Sequence, residues 1–530
     1  MSTDKSFEPH SHRAIIKSTS LISLGTLSSR ILGFLRDILL AKLFGTKDAA
    51  DSFFVAFRIP NLLRDLMGEG AINAAVVPVF SEYVNQKDKH QMWHFVNVVF
   101  TLFLIGLSAV TLLGIVFAPV IVRLIAPGFI ADPHKLMLTV QLTRLLFPYL
   151  ILIGLTAYSM GILYTFKSFF WPAFSPCLLN VATIIAAVIA SRTMKEPVIG
   201  LSVGILIGGG WQLAVQMRTL RKIGIPLMIP KTISHPGARR IGKLLIPRLF
   251  GAGVYQLNIF VDTFCASLST IVGAGGISAI YYANRIIQFP QAIFGIALAT
   301  ALLPTMSALA SRGDLASLKR TLIFSLKNIF LIMLPVSVLC LFLATPIIRI
   351  LFQRGEFTEY STGITSQALF FFALGLWCYG GVRVLVTTFH ALQDTVTPVK
   401  VAGLCLVINA VLNFILMKPL KVGGIALASS VAVAVNFLVL FFMMDKKLGG
   451  LRNGMLDYFL RLAIATSVMG ITTFYSWENL SFAQEIIKLI VVSLLSGVIF
   501  VGMGLVLKID GIEKVFQKVM SWRIRNFAKK

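Results

Sequence analysis

The chain has 530 residues, 57% hydrophobic and only 13% charged, with mean hydropathy +0.84. A soluble domain carries about 25% charged residues, so half of the expected solvated surface is missing, which excludes a cytosolic enzyme, a disordered chain and a small disulfide scaffold. The net charge of +26 would suggest nucleic acid in a soluble protein, but here Lys and Arg gather in short loops between apolar runs, as the positive-inside rule expects, and no nucleic-acid partner is expected.

The first fourteen residues are polar, with Lys5 and Arg13 and no apolar core of a signal peptide, so the first span is expected to direct insertion. Two apolar but charge-bearing regions follow, near 18–45 and 49–80. Runs without Asp, Glu, Lys or Arg then cover 95–122, 145–166, 168–191 and 197–217. Each is long enough to cross a bilayer as a helix, which takes roughly 20 residues. Two further charge-bearing regions, near 243–270 and 277–308, flank the flexible Gly273-Ala274-Gly275-Gly276. Uncharged runs resume at 328–348, 360–382, 422–444 and 489–507, and shorter ones at 401–417 and 462–477 reach span length with their flanks. The fold class is an all-α polytopic membrane protein of about fourteen spans.

Loop charges orient those spans. With the N-terminus cytoplasmic, the basic loops near 218–243, 312–327 and 445–461 and the tail ending Arg523, Arg525, Lys529 and Lys530 share one side, so both termini are expected in the cytoplasm. The five cysteines all lie inside apolar runs without C-x-x-C pairing and read as small core residues.

Two segments about 227 positions apart resemble each other. The first reads Phe54-Val55-Ala56-Phe57-Arg58-Ile59, then Gly68, Pro78 and Ser81; the second reads Tyr281-Tyr282-Ala283-Asn284-Arg285-Ile286, then Gly295, Pro304 and Ser307. They fall in predicted spans 2 and 8. An even offset makes a parallel repeat of six spans plus six, an organisation transporters use to build a substrate site near the membrane midplane. The domains are therefore 1–222 (spans 1–6), 223–447 (spans 7–12) and 448–530 (spans 13–14 and the basic tail).

Charge within the first two spans is the strongest chemical signal. Span 1 carries Arg30, Arg36 and Asp37; span 2 carries Asp51, Arg58, Arg64, Asp65 and Glu69. Each central Arg or Asp costs about 2.5–3.5 kcal/mol to insert even on the lenient translocon scale, so these helices line a water-filled cavity or pair their charges internally. Arg30 with Asp37, Asp51 with Arg58 and Arg58 with Asp65 are each seven apart and share a helix face, which is the simplest internal pairing. Arg285, flanked by apolar residues, has few local partners in the sequence. A guanidinium presents a planar fork that binds phosphate or carboxylate bidentately and stays charged. Arginines converging from both halves make an anion site, for which a diphosphate is a natural ligand. Arg144 extends this basic surface or marks a helix end.

A second polar cluster combines Asp262 in span 7, Asn409 and Asn413 at i, i+4 in span 11, and Ser429 and Ser430 in span 12. Such oxygens suit a small hard cation or interhelical hydrogen bonds. No G-x-x-x-x-G-K-[ST], H-E-x-x-H or G-x-S-x-G motif occurs, so no ATPase or hydrolase activity is expected. An ion gradient, the membrane potential or the substrate gradient is left to supply any driving force.

These residues resemble the MurJ/MviN family of lipid II flippases within the MOP exporter superfamily. The likeness lies in S-R-I-L-G-F-L-R-D (29–37), A-D-S-F-F-V-A-F-R-I-P-N-L-L-R (50–64), G-E-G-A (68–71), A-P-G-F (126–129) and F-P-Y (147–149). It continues through P-A-F-S-P-C-L-L-N (172–180), Y-Y-A-N-R-I-I-Q-F-P (281–290), L-F-Q-R-G-E-F-T (351–358) and A-L-Q-D-T-V-T-P-V-K (391–400). The resemblance implies two six-helix lobes with spans 13 and 14 forming a hydrophobic groove. It implies a non-enzymatic transporter of the bacterial inner membrane that flips lipid II outward by alternating access, with no cofactor. Membrane lipids and cell-wall synthesis proteins would be further partners, and the working unit a monomer.

By motif, the family's essential arginines correspond to Arg30, Arg36, Arg64 and Arg285, with Asp37, Asp51 and Glu69 at acidic positions and Arg58 beside them; these would bind the cargo and its diphosphate. Some members bind sodium through residues like Asp262, Asn409 and Asn413, although Asn413 stands where such a member has a carboxylate. The alternatives that share this sequence logic are a flippase for another lipid-linked oligosaccharide, a multidrug exporter of the same superfamily, and a membrane enzyme acting on the same lipid.

Overall fold

A chain segment in lipid has to satisfy its own backbone hydrogen bonds, which leaves a helix as the solution for any single span. The computed structural model describes residues 9–68, 79–83, 89–225, 227–230, 232–514 and 517, and every regular element among them is helical. Two compact units divide the chain, Met1–Gln256 and Leu257–Lys530. The first holds α1 (Pro9–Phe44), α2 (Asp48–Gly68), α3 (Lys89–Ile125), α4 (Pro133–Leu146), α5 (Tyr149–Thr165), α6 (Phe170–Thr193), α7 (Pro197–Lys222) and the start of α8 (Pro236–Ser267). The second holds the end of α8, α9 (Ser269–Val272), α10 (Gly276–Pro290), α11 (Ala297–Ser311), α12 (Leu315–Phe342), α13 (Ala344–Phe352), α14 (Glu359–Ala391), α15 (Val396–Leu448), α16 (Arg452–Asn479) and α17 (Glu485–Val506).

Among the described residues, ten helical stretches are long and apolar enough to cross a membrane. The gap to about fourteen has a physical reason. α15 is two helices that meet at Lys421, whose φ of 50° interrupts the helical path two residues beyond Pro419. α1, α2 and α8, at 36, 21 and 32 residues, have the length of spans but carry charges along it. These are the charge-bearing regions that the sequence marks near 18–45, 49–80 and 243–270.

The α6–α7 hairpin packs small residue against small residue. Gly200, Gly204 and Gly208, one turn apart on α7, face Ala190, Ala186 and Ala182 of α6 in antiparallel order. A Cβ added at each would lie 2.4, 2.2 and 3.0 Å from the alanine Cβ atoms. Lipid tails offer no hydrophobic drive between helices, so close backbone approach of this kind supplies the association. Elsewhere in the first unit Phe80, Phe95 and Tyr158 are fully buried, and the Tyr158 hydroxyl donates to the Val96 carbonyl at 2.6 Å. In the second unit Phe330 of α12, Trp377 of α14 and Phe437 of α15 form a ring trio with centroids 5.5–5.7 Å apart. By contrast Ile490, Leu494 and Val498, at i, i+4 and i+8 on α17, are 54–69% exposed. A stripe of that kind is a lipid-facing surface.

Candidate functional site

Near the C-terminal end of α1, charge is held by charge. Arg36 is 9% exposed and Asp37 1%. Arg36 Nε and Nη2 donate to Asp37 Oδ1 at 3.1 and 2.8 Å, and Nη1 donates to Asn180 Oδ1 at 3.1 Å. Asn180, on α6, returns its amide to the Ser29 carbonyl at 3.1 Å. One side chain thus ties the arginine to the backbone a helix turn or two earlier. The P-A-F-S-P-C-L-L-N stretch resembled the family as text; here its final Asn is the clamp on Arg36. Arg30 is exposed, with no hydrogen bond or ion pair among the described residues. Six positions separate Arg30 from Arg36, so they point about 120° apart on the helix, one outward and one into the α1–α6 contact.

A second buried charge cluster lies where α2 begins. Lys135 of α4, 5% exposed, donates from Nζ to Asp48 Oδ1 at 2.6 Å and to Asp51 Oδ2 at 3.0 Å. Asp51 is 2% exposed. The Ala126-Pro127-Gly128-Phe129 segment opens a 3-10 turn, Pro127–Ala131, that sets the Phe129 ring 4.4 Å below Lys135 Nζ. Asp132 then caps α4, accepting from the backbone of His134 and Lys135 at 3.0 and 3.1 Å. Sequence reasoning placed Asp51 on a face with Arg58; the carboxylate accepts a hydrogen bond from Lys135, a residue it passed over. Arg58 is half-buried on α2. Arg64 belongs to α2, with only its backbone described, and Glu69 lies outside the described residues, as does Pro78. Arg144 is exposed at the end of α4, where Nε donates to the Ile115 carbonyl at 3.3 Å.

In the second unit Arg285 sits on α10, before Pro290 and the π-helical turn Gln291–Ile296. It has more local partners than its apolar flanks suggested. Nη2 and Nε donate to the Tyr281 hydroxyl at 2.9 and 3.3 Å, Nη1 to Gln288 Oε1 at 3.3 Å, and the guanidinium lies 5.0 Å from the Tyr281 ring centre. Helical spacing explains this, since i−4 and i+3 neighbours share a face. Tyr282, its buried neighbour, packs against Phe352 and Phe357 at 5.3 and 5.6 Å. The L-F-Q-R-G-E-F-T segment is thus the anvil that seats α10.

The second polar cluster is a single network. Asp262 of α8 accepts from Asn413 Nδ2 at 2.8 Å, from Asn409 Nδ2 at 3.2 Å and from Ser429 Oγ at 3.0 Å. Asn409 also donates to Asn258 Oδ1 at 2.6 Å. Asn409 and Asn413 are fully buried, and the Oδ1 atom of each has no hydrogen-bond partner among the described residues. No group of three or more His, Cys, Asp or Glu able to hold a metal occurs among the described residues, so any cation here would rely on amide and hydroxyl oxygens around one carboxylate.

The profile of the family described as Lipid II flippase MurJ matches residues 40–494. A curated relative from Buchnera aphidicola subsp. Acyrthosiphon pisum, named Probable lipid II flippase MurJ, is 34% identical over 92% of this chain and 96% of its own length. Among solved structures, Lipid II flippase MurJ in an inward closed conformation superposes with TM-score 0.75 at 29% identity, covering 91% of this chain and 98% of that one. An inward-facing multidrug resistance MATE transporter of the MOP superfamily gives TM-score 0.66 at 15% identity over 80% of this chain and 96% of its own, a likeness of fold alone.

Proposed function

The chain belongs to the lipid II flippase MurJ family, and we propose that it moves lipid II, the undecaprenyl-diphosphate-linked peptidoglycan precursor, from the cytoplasmic to the outer leaflet of the bacterial inner membrane. The match over residues 40–494 carries this reading. It is a multi-pass membrane transporter in which α1, α2 and α8 join the ten apolar stretches and the divided α15, giving fourteen crossings with both termini cytoplasmic.

The cargo is an anion on a lipid, and the arginines are the groups that answer it. Arg30, exposed on α1, and the half-buried Arg58 and Arg285 present guanidinium forks. Arg36 acts from a fixed position: Asp37 and Asn180 set its plane before the diphosphate arrives, which spares the ordering cost of a long side chain. Asp51, locked by Lys135, holds the start of the helix that carries Arg58 and Arg64. Alternating exposure of these arginines to the two membrane faces would carry the headgroup across while the undecaprenyl chain remains in lipid. An exporter of cationic drugs would need carboxylates facing its cargo, whereas here Asp37 and Asp51 are each bonded to a cation.

Flipping of labelled lipid II in proteoliposomes tests this, beside a lipid-linked sugar of a different headgroup and a cationic drug. Wild type should move lipid II selectively, and Arg30→Ala, Arg36→Ala and Arg285→Ala should each abolish movement while remaining in the membrane. Full activity in two of the three variants would remove the arginine site, and movement of the drug instead would remove the cargo assignment.

A sodium ion is supported as a coupling ion by one observation, the two orphaned amide oxygens beside Asp262. As placed, both amides aim Nδ2 at Asp262; turned over, Asn409 Oδ1 and Asn413 Oδ1 would join Asp262 and Ser429 Oγ in an all-oxygen donor set of the kind that suits a small hard cation. Bound there, sodium would neutralise the Asp262 carboxylate and tie α8 to both halves of α15.

A further inference from the structure

The described residues of 223–235, all but 226 and 231, run from α7 to α8 as a strap with two distinct faces. One face is fastened to the first unit. Ile225 is 2% exposed, as is Ile241 just inside α8, and both belong to the core around Phe95 and Tyr158. The Met228 backbone N–H donates to Asn97 Oδ1 at 2.8 Å, and Thr232 Oγ1 lies 3.4 Å from His94 Nε2. The His235 ring packs on Phe95 and Tyr83 at 4.9 and 5.2 Å, and Arg240 closes the strap onto Glu82 at 2.6 Å.

The other face is apolar and open. Met228, Ile229 and Ile233 are 64%, 72% and 46% exposed, although the Met228 N–H and the neighbouring Thr232 and His235 side chains are held. The stretch itself is basic: positions 218–243 contain seven Lys and Arg and no Asp or Glu, and Glu82 from outside it is bonded to Arg240. Arg221, Lys222, Arg239 and Lys243 are exposed at the helix ends that bracket the strap. Scattered single apolar residues on a surface need no explanation. Three exposed on a segment held at Met228, Thr232 and His235, beyond the end of a membrane-spanning helix and between helix ends that carry exposed cations, do. Apolar side chains dipped into the headgroup–acyl boundary beneath cations at phosphate level are how interfacial segments bind anionic membranes.

We propose that this strap is an interfacial anchor that binds anionic phospholipid, with Met228, Ile229 and Ile233 in the acyl boundary and the bracketing cations on the headgroup phosphates. Charge complementarity selects this occupant: a zwitterionic headgroup gains little from so many cations, of which Arg240 already has Glu82 as its partner. The anchor is independent of the cargo, so it stands or falls without reference to lipid II transport.

Quenching by brominated lipid tests it on the full chain. Ile229→Trp, in nanodiscs of phosphatidylcholine with a minority of phosphatidylglycerol, is read against the same protein with Ile229 intact, with bromine placed on the acyl chains of one lipid at a time and in equal amount. Brominated phosphatidylglycerol should quench the introduced indole more than brominated phosphatidylcholine. The combined change Arg221→Gln, Lys222→Gln, Lys243→Gln should weaken that preference at least about tenfold. If that variant does not fold, rising salt on the parent should erode the preference in the same direction. Equal quenching by the two lipids, or none by either, overturns the proposal. Relief of phosphatidylglycerol quenching by a small fraction of unbrominated lipid II also overturns it, because the occupant would then be the cargo diphosphate.

Discussion

Lys135→Met keeps the length of the side chain and removes its charge, which isolates what the buried cation does. Its Nζ lies 2.6 Å from Asp48 Oδ1 and 3.0 Å from Asp51 Oδ2. The two carboxylates respond differently. Asp48 has a side chain 62% exposed and can hydrate, whereas the Asp51 side chain is 3% exposed and cannot turn to water. The loss therefore concentrates on Asp51. Removing one partner of a buried pair costs about 3–5 kcal/mol, and hydration of Asp48 puts the expected cost near the lower end, about 3 kcal/mol. Chemical unfolding in mixed detergent micelles would measure it for Lys135→Met, Asp51→Asn and the double variant. In the double variant neither buried charge is left facing the other's absence, so its cost should fall below the sum of the single costs, with a coupling of at least about 1 kcal/mol. Lipid II flipping should drop in both single variants, because the first turn of α2 is what the pair holds. A coupling below about 0.5 kcal/mol, the ordinary scatter of additivity, would refute the view that Lys135 and Asp51 act as a unit.

Three further outcomes follow from other parts of the molecule. Gly204→Val should lower the thermal midpoint of the purified protein by an overpacking cost of about 1–3 kcal/mol, because the new Cβ would stand 2.2 Å from Ala186 Cβ; Ala186→Gly in the same chain should recover part of the loss, and no recovery would mean the hairpin contact is not what failed. Sodium chloride should raise the thermal midpoint of wild type above that in potassium chloride, and Asp262→Asn should abolish the difference; an equal response in both salts would leave the Asp262 network as hydrogen bonding alone. Asp394, between α14 and α15, is held at about 2 by a hydrogen bond from Lys447 and two from Thr397. A carboxylate lowered in the fold stabilises above its ordinary value and loses that contribution as pH falls through the folded value. Wild type should therefore lose a small increment of stability between about pH 4 and pH 2 that Asp394→Asn lacks, and parallel curves for the two would contradict the pairing.

The helical class, the membrane and the charged helices were readable because each rests on one-dimensional patterns: uncharged runs of spanning length, loops of one sign, and charges where lipid excludes them. Span number blurred where the pattern itself blurs. The break at Lys421 is one residue of positive φ within a single long helical stretch, and α1, α2 and α8 carry charges along their length. The finer chemistry was hidden because it is made between helices. Asn180 is one amide among many polar residues in apolar runs until α6 lies on α1 and its Oδ1 meets Arg36. Lys135 carries no signal in the sequence, and the Pro127–Ala131 turn and the Asp132 cap bring it onto α2.

Asp51 shows why the distinction matters for function. A spacing of seven from Arg58 gave it a partner on its own helix, and the family resemblance placed it among the cargo-site residues. The structure gives its carboxylate a cation from a different helix, inside the first unit. Intramembrane acids that answer a neighbouring lysine and intramembrane arginines that stay exposed, as Arg30 does, look the same as letters. They differ in what desolvation demands of them. Asp51 has its charge compensated within the protein, and so contributes by fixing a helix. Arg30 has no such compensation among the described residues, and so retains the capacity to gain an anion. An essential phenotype at both positions would therefore have two separable causes. Loss of stability should accompany the first, and loss of cargo binding with stability intact should accompany the second.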